Sequence, residues 1–415
     1  MCPMPAVQSK LQASSRRGRF SGARVVLASV IAVASAALVS AIDANAQPRN
    51  DSQPGDSGEG AQSTSGNTDG QMIEEVRVLG RYRQAYKTDS AQGTKMGVDL
   101  FKLPQSVQVL SREFLDDLGA VEISDVYGQV AGVSNDPYSS NISRGFRQEE
   151  LRYNGLVGDP YLSFNQPLLF NVGRIEFLKG PSAVLYGGAE PGGVINYVTK
   201  KPQTELAHTL TASVGSFDTL RASAESTGPL AGNDQVLYRI GAYWNDSDSF
   251  RNNVAKEDVL LSPSVRFLLG NETRITLEGE YIEQDWAGWR LRGVPVDREG
   301  EFRADTDFSA NEPGDEQTLE ATVLQATLDH AFTDKLRADL SARYIDNEGR
   351  QRYHEARFLG GDGRTLSREF RDQTREEEQL GAMANLHYES AVGDLQQTWL
   401  LGAEYYYVET RRSRQ

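Results

Sequence analysis

From His208 onward the chain alternates apolar and polar side chains with a period of two, over runs of 10 to 15 residues. That period puts successive side chains on opposite faces, so each run predicts a strand with one apolar and one polar face. Nine such runs fall near 208–217, 219–228, 235–245, 257–269, 273–285, 318–332, 335–348, 378–389 and 396–410. Between Arg274 and Gln284, Ile275, Leu277, Gly279 and Tyr281 share one face and Arg274, Thr276, Glu278 and Glu280 the other. Leu336, Ala338, Leu340, Ala342 and Tyr344 likewise oppose Arg337, Asp339, Ser341 and Arg343. Trp399, Leu401, Ala403, Tyr405 and Tyr407 oppose Leu400, Gly402, Glu404 and Tyr406. Connections at 229–234, 270–272, 333–334 and 390–395 are short, and those at 246–256, 286–317 and 349–377 are long, acidic and polar. Short turns on one side and long loops on the other predict a transmembrane antiparallel β-barrel over 208–415. A soluble β-sandwich is the competing fold. Strand length, loop asymmetry and the charge on the non-apolar faces argue against it.

Residues 95–202 read differently, as a compact α/β domain. Strands are predicted at Ser106 to Leu110, Arg174 to Leu178 and Val194 to Val198. Ser111 can cap a helix carrying Phe114, Leu115 and Leu118 on one face. A second helix is predicted from Glu122 to Gln129 with Val121, Val126 and Val130 inward, and a short helical turn from Ser182 to Tyr186. Glycines at 187, 188, 192 and 193 mark tight turns or a close backbone approach.

Upstream, Arg16, Arg17, Arg19 and Arg24 precede an uncharged stretch from Val25 to Ile42, which ends at Ala44-Asn45-Ala46. This predicts an export signal over 1–46, cleaved before Gln47; a membrane anchor is the alternative for 18 uncharged residues. Residues 47–72 offer almost nothing to bury and predict a disordered periplasmic linker. The alternating piece Ile73 to Gly80 reads equally as a first strand or as an extended peptide that adds to a partner's sheet edge.

Composition narrows the function. The 415 residues carry 43 Lys+Arg and 58 Asp+Glu, a net charge of -15. An acidic chain does not track a nucleic-acid backbone by charge, so no nucleic-acid partner is expected. A mean hydropathy of -0.50 excludes a helical membrane bundle but not a barrel. The single cysteine, Cys2, lies in the export signal, so no disulfide framework or thiolate metal site is expected afterwards. His208, His330, His354 and His387 lack metal-ligand spacing, and Gly180 to Gly193 lacks the Lys-Ser/Thr of a phosphate loop. No catalytic constellation is present, and the chain is not expected to be an enzyme.

Several segments carry a family resemblance. Leu103-Pro104-Gln105-Ser106-Val107-Gln108-Val109-Leu110-Ser111 and the stretch ending Val130-Ala131-Gly132-Val133 resemble the plug domain of TonB-dependent outer-membrane receptors. Ser143-Arg144-Gly145-Phe146 is similar to the family's I-R-G-F, with Ser143 in the apolar place, and Asn154-Gly155-Leu156 to its D-G-hydrophobic step. The longest match runs from Arg174-Ile175-Glu176-Phe177-Leu178-Lys179-Gly180-Pro181 through Gly192-Gly193-Val194-Ile195-Asn196 to Lys200-Lys201-Pro202. That close resembles the ferric-siderophore branch. Glu75-Val76-Arg77-Val78 resembles the TonB box, with Arg77 and Leu79 as departures.

The resemblance implies an α/β plug inside a bacterial outer-membrane barrel of 22 strands, of which nine are found here. It implies active import of a ferric siderophore, and signalling as a receptor. TonB, with its inner-membrane energising complex, would pair with Glu75, Val76, Arg77 and Val78 at the 73–80 segment. Iron would travel inside the ligand, so no resident cofactor or metal is expected. Candidate ligand contacts on the plug apices are Tyr138, Arg147, Gln148, Tyr161, Phe164 and Asn165. Aromatic rings suit flat chelates and Arg suits their anionic charge; Tyr161 and Phe164 have packing their own loop as the alternative. Trp286, Trp289, Arg290 and Arg292 would complete the pocket, or the two tryptophans would belong to an aromatic girdle. The motif residues Arg144, Gly145, Phe146, Gly180, Pro181, Gly192, Gly193 and Asn196 would build the plug. Nine strands leave two open edges, so the sequence is expected to be either the amino-terminal portion of a longer receptor or, as the alternative, a truncated, non-transporting remnant with a plug. A receptor for another chelate such as cobalamin is a third reading.

Overall fold

A computed structural model describes residues 86, 88, 90–97, 99–136, 141–148, 151–161, 165–180, 186, 191–290, 293–393 and 395–414. The expected export signal, linker and TonB-box-like segment lie outside these residues.

The first part is an α/β unit. β1 (Ser106–Ser111) runs into α1 (Arg112–Leu118), whose N-terminus is capped by Ser111 Oγ accepting from the Phe114 N–H at 3.3 Å. Gly119 ends α1 in the left-handed conformation, as a C-terminal cap requires. The second helix expected at Glu122 to Gln129 is instead two single 3₁₀ turns, Ile123–Asp125 and Tyr127–Gln129. The Asp125 side chain accepts from the Val121 and Glu122 N–H groups, which closes the first turn early. The inward positions hold: Val126 and Val130 are buried.

β2 (Val133–Asn135), β3 (Asn141–Ser143) and β4 (Phe146–Gln148) form a small antiparallel sheet. β5 (Leu151–Tyr153), β6 (Leu156–Val157), β7 (Val172–Lys179) and β8 (Gly193–Thr199) join β1 in a five-stranded sheet of order β1-β7-β8-β5-β6. Leu115, Ile123, Val126, Leu169, Ile175, Phe177 and Tyr197 fill the core between this sheet and α1.

Nine antiparallel strands follow in sequence order, β9 (Ala207–Gly215), β10 (Thr219–Leu230), β11 (Asn233–Asp248), β12 (Ala255–Leu269), β13 (Thr273–Ala287), β14 (Glu316–Thr333), β15 (Leu336–Leu359), β16 (Leu366–Val392) and β17 (Leu395–Arg414). Each pairs with the next, and the sheet is open, with β9 and β17 at its edges. The predicted alternation is realised: Leu277, Leu324, Leu340, Tyr344 and Leu380 are exposed on the outer face. Their neighbours in sequence face the plug. One expectation is corrected. The stretch 349–377 is not a long loop, because β15 extends to Leu359 and β16 begins at Leu366, leaving a six-residue connection between them. Charged residues on both faces there masked the alternation. They pair across the ribbon, as Arg350 does with Asp372 at 2.8 Å and Arg357 with Glu369.

Candidate functional site

The site is built from the plug outward. In β7 and β8, Glu176 lies directly opposite Asn196. Both are fully buried. Glu176 accepts from the Gln92 N–H at 2.8 Å, the Gly93 N–H at 2.7 Å, Asn196 Nδ2 at 2.9 Å and Arg174 Nε at 2.7 Å. Asn196 Oδ1 accepts from the Gly155 N–H at 2.8 Å. One buried acid–amide pair thus ties three separate segments together, and both carboxylate oxygens are satisfied. The double glycine before Asn196 follows from sterics. At Gly193, φ is +127° and a Cβ would sit 2.1 Å from the Leu178 carbonyl oxygen; at Gly192 it would sit 2.6 Å from that of Ser143. Ser143 Oγ donates to the Gly192 carbonyl at 2.9 Å, which accounts for a polar residue in an apolar place. Arg144 and Gly145, at φ 51° and 86°, form the two-residue turn between β3 and β4. Gly180 donates its N–H to the Gly192 carbonyl, and Phe146 is half exposed.

The lower part of the plug meets the wall through charges. Arg152 pairs with Glu404 at 2.7 Å, Lys201 with Glu278 at 2.5 Å, and Lys200 shares Glu225 with Arg239. Higher up, Glu122 pairs with Lys256 at 2.6 Å. Burial pulls the Lys95, Lys200 and Lys201 ammonium groups below their ordinary range.

The segment from Asp159 to Gln166 is held differently, by neutral amides, one from each of four consecutive strands. Gln284 on β13 donates to the Gln166 carbonyl at 3.4 Å, and Gln317 on β14 donates to Asn165 Oδ1 at 3.2 Å. Asn347 on β15 donates to the Pro160 carbonyl at 3.1 Å, and Gln379 on β16 to the Asp159 carbonyl at 2.9 Å. Asp159 itself is partly buried, and desolvation pushes its carboxyl up to about 7 against the pull of the Tyr161 N–H and Arg343.

The predicted ligand residues fall into distinct places. Arg147 is half exposed and pairs with Asp136 at 2.9 Å, whereas Gln148 is buried. Tyr161 is buried against Tyr243, Leu260, Ile282, Leu319 and Ala321, and its hydroxyl accepts from the Leu168 N–H at 3.0 Å; it packs its loop onto the wall. Asn165 is buried at the wall. Trp286 faces inward and is no part of an outer girdle: it is fully buried, and its Nε1 donates to Asp258 Oδ1 at 2.8 Å. Trp289 packs against it at 4.7 Å between ring centroids, and the Lys256 ammonium lies 4.3 and 3.8 Å from the two rings. Arg290 pairs with the buried Glu355 at 2.6 Å. Tyr138, Phe164, Pro181 and Arg292, with Glu75, Val76, Arg77 and Val78, lie outside the described residues. Sequence reasoning missed Glu176, Arg152 and the collar of Gln284, Gln317, Asn347 and Gln379. The one usable signal was a charged residue inside an apolar run, at Glu176. Among the described residues no group of His, Cys, Asp or Glu could hold a metal ion.

Residues 99–194 match the TonB-dependent Receptor Plug Domain family. The metal-pseudopaline receptor CntO of Pseudomonas aeruginosa is 30% identical over 332 residues, covering 78% of this chain and 46% of that protein. The chain belongs to the TonB-dependent receptor family. These are outer-membrane proteins, and so is this one. The ferripyoverdine receptor of Pseudomonas aeruginosa is 27% identical and covers 58% of this chain and 31% of its own length. The solved structure of that organism's ferripyoverdine receptor bound to ferripyoverdine superposes with a TM-score of 0.74 at 20% identity, over 80% of this chain and 46% of that one. The plug-plus-wall arrangement is therefore the TonB-dependent receptor fold. The chain spans less than half the length of these relatives.

Proposed function

We propose that this chain serves TonB-dependent import of a ferric siderophore across the outer membrane. The observation that carries the reading is a plug gripped in two ways, by ion pairs below and neutral amides above, inside a wall whose polar face is turned inward. Such a plug is held to the wall by many exchangeable polar contacts, so a pull on its amino-terminal side can shift it without tearing an apolar core. TonB would supply that pull by adding a strand at residues 73–80. The chelate would enter above the collar, where Trp289 and Arg147 offer aromatic and cationic surface. No bond in the cargo is broken.

The test is uptake of radiolabelled iron by cells with and without this locus, each with and without a functional TonB. The reading requires uptake of at least one ferric siderophore that disappears in both deletions. Equal uptake in all four strains would remove it. The 30% identity to a metal-pseudopaline receptor favours a second reading, a chelate of another metal; the same strains fed labelled zinc or nickel chelates separate the two. The remnant reading requires no uptake of any chelate.

A further inference from the structure

Arg343 on β15 faces the plug and is 3% exposed. Its Nε and Nη1 are buried and make no hydrogen bond. What it meets is the ring of Tyr153 on the plug, whose centroid lies 4.5 Å from the guanidinium carbon. Tyr153 is stacked in turn on Tyr197, with 4.7 Å between ring centroids. A ring face offsets only part of what a guanidinium loses on leaving water. A wall that grips its plug through ion pairs thus keeps one of its own cations off any carboxylate.

Carboxylates stand nearby, but the plug holds them. Glu278 on β13 and Arg343 are both register partners of Gln325 on β14, so they share a row about 10 Å across, two strand spacings. Glu278 accepts from Thr199 Oγ1 of the plug at 2.6 Å and from Lys201 Nζ at 2.5 Å. Glu280, one step along the same face, accepts from Asn171 Nδ2 of the plug at 3.0 Å. Arg343 feels the charge of both. Arg266, a second wall cation near Glu278, is committed to Thr276 Oγ1 at 3.2 Å and the Pro202 carbonyl at 3.5 Å. Elsewhere the wall supplies its own counter-ion in advance. Glu225 holds Lys200 of the plug at 2.7 Å and Arg239 of the wall at 2.9 Å, so it keeps a partner when Lys200 leaves. At Glu278 and Glu280 the wall's cation stands aside instead.

We propose that Arg343 is a stand-in counter-ion that trades partners as the plug moves. With the plug docked, it is stored against Tyr153. Tyr153 and Tyr197 pair in one sheet, so Tyr153 withdraws together with Thr199 and Lys201. The guanidinium then swings along its row onto Glu278 and Glu280. The wall replaces the charge that the plug takes away, and release becomes easier than the ion pairs alone would set. This rests on the plug-shifting step of the import reading above.

The test uses the full chain in lipid nanodiscs, without TonB or cargo, and reads hydrogen exchange by mass spectrometry on plug peptides covering 151–157 and 194–202. Arg343→Met keeps the bulk and removes the charge. The docked state loses a stored cation and the released wall loses its stand-in, so opening is expected to become about 10-fold rarer. Arg343→Leu, without a sulfur to rest on the ring, is expected to act in the same direction. With Glu278→Gln and Glu280→Gln as the background, Arg343 has no carboxylate to move to, and Arg343→Met is expected to change opening by about 2-fold at most. A clamp works the other way: if the contact with Tyr153 holds the plug, both replacements make opening more frequent. That result, opening unchanged within about 2-fold in the single variants, or an undiminished effect in the doubly substituted background overturns the proposal. In cells, Arg343→Met is expected to lower TonB-dependent uptake of labelled iron about 3-fold or more; full uptake despite rarer opening overturns the role in release. A parent that takes up no chelate removes the import reading, and the exchange result still decides the trade of partners.

Discussion

Replacing Glu176 with Gln removes one oxygen from a fully buried carboxylate that accepts four hydrogen bonds. The Oε1 side receives Gln92 N–H and Arg174 Nε; the Oε2 side receives Gly93 N–H and Asn196 Nδ2. Whichever oxygen becomes NH2, two donors then face a third donor. Arg174 also loses its counter-charge. Breaking such a buried charged arrangement from one side costs about 3–5 kcal/mol. The cost falls on the segment that the carboxylate holds, residues 92–94, because the β7–β8 ladder keeps its own main-chain bonds. Opening of that segment should become about a hundred to a few thousand times more frequent. Hydrogen exchange read by mass spectrometry on peptides covering 90–97 measures this directly. Peptides from β14 to β16 serve as the control and should not change. If the 90–97 peptide exchanges within about threefold of the parent, Glu176 does not hold this segment and the reasoning fails.

Three further outcomes are expected. Gly193→Ala forces a Cβ to within 2.1 Å of the Leu178 carbonyl at a φ of +127°; the plug should lose about 3 kcal/mol or more, seen as protease sensitivity of the plug with an intact wall. Asp159 ionises near 3.8 in an unfolded chain and near 7 in the folded one, so folding takes up a proton in that interval. Its contribution is therefore most favourable below the lower value and is lost as pH rises through about 7. Protection of the Asp159 segment, corrected for intrinsic exchange, should fall across that range in the parent and stay flat in Asp159→Asn; equal slopes would contradict it. Arg152→Ala and Glu404→Ala should each destabilise plug docking by about 3 kcal/mol, with the double variant little worse than either single one. Additive losses in chemical denaturation would show that the 2.7 Å pair is not a unit.

Much of this architecture is legible because period-two patterning over a lipid-facing wall is strict. Leu340, Ala342 and Tyr344 must meet lipid while Ser341 and Arg343 meet the plug, so β15 announces itself. The same strand above Arg350 does not, since beyond the membrane both faces are polar and a ribbon resembles a loop. The Glu122 to Gln129 helix failed for a local reason: Asp125 spends its side chain on the Val121 and Glu122 N–H groups and stops the turn. The motif glycines and Asn196 could be found by resemblance, but the work of Glu176 lies in contacts spread over 84 residues. The collar was invisible for the same reason. Gln284, Gln317, Asn347 and Gln379 look like ordinary polar-face residues until four strands bring them round one plug segment.

β15 and β16 contain 24 and 27 residues, whereas about ten suffice to cross a bilayer as a tilted strand. At about 3.3 Å per residue, the 24 residues of β15 extend about 80 Å. Its ladder with β14 stops at Arg352, so the last stretch has only β16 beside it. On a cell whose outer surface is a dense layer of sugar chains, such a ribbon is a mast standing through the canopy. A small chelate can thread the sugars unaided. A large visitor, such as an antibody or a virus tail, would meet the tip around Asp362 before the residues that grip the plug.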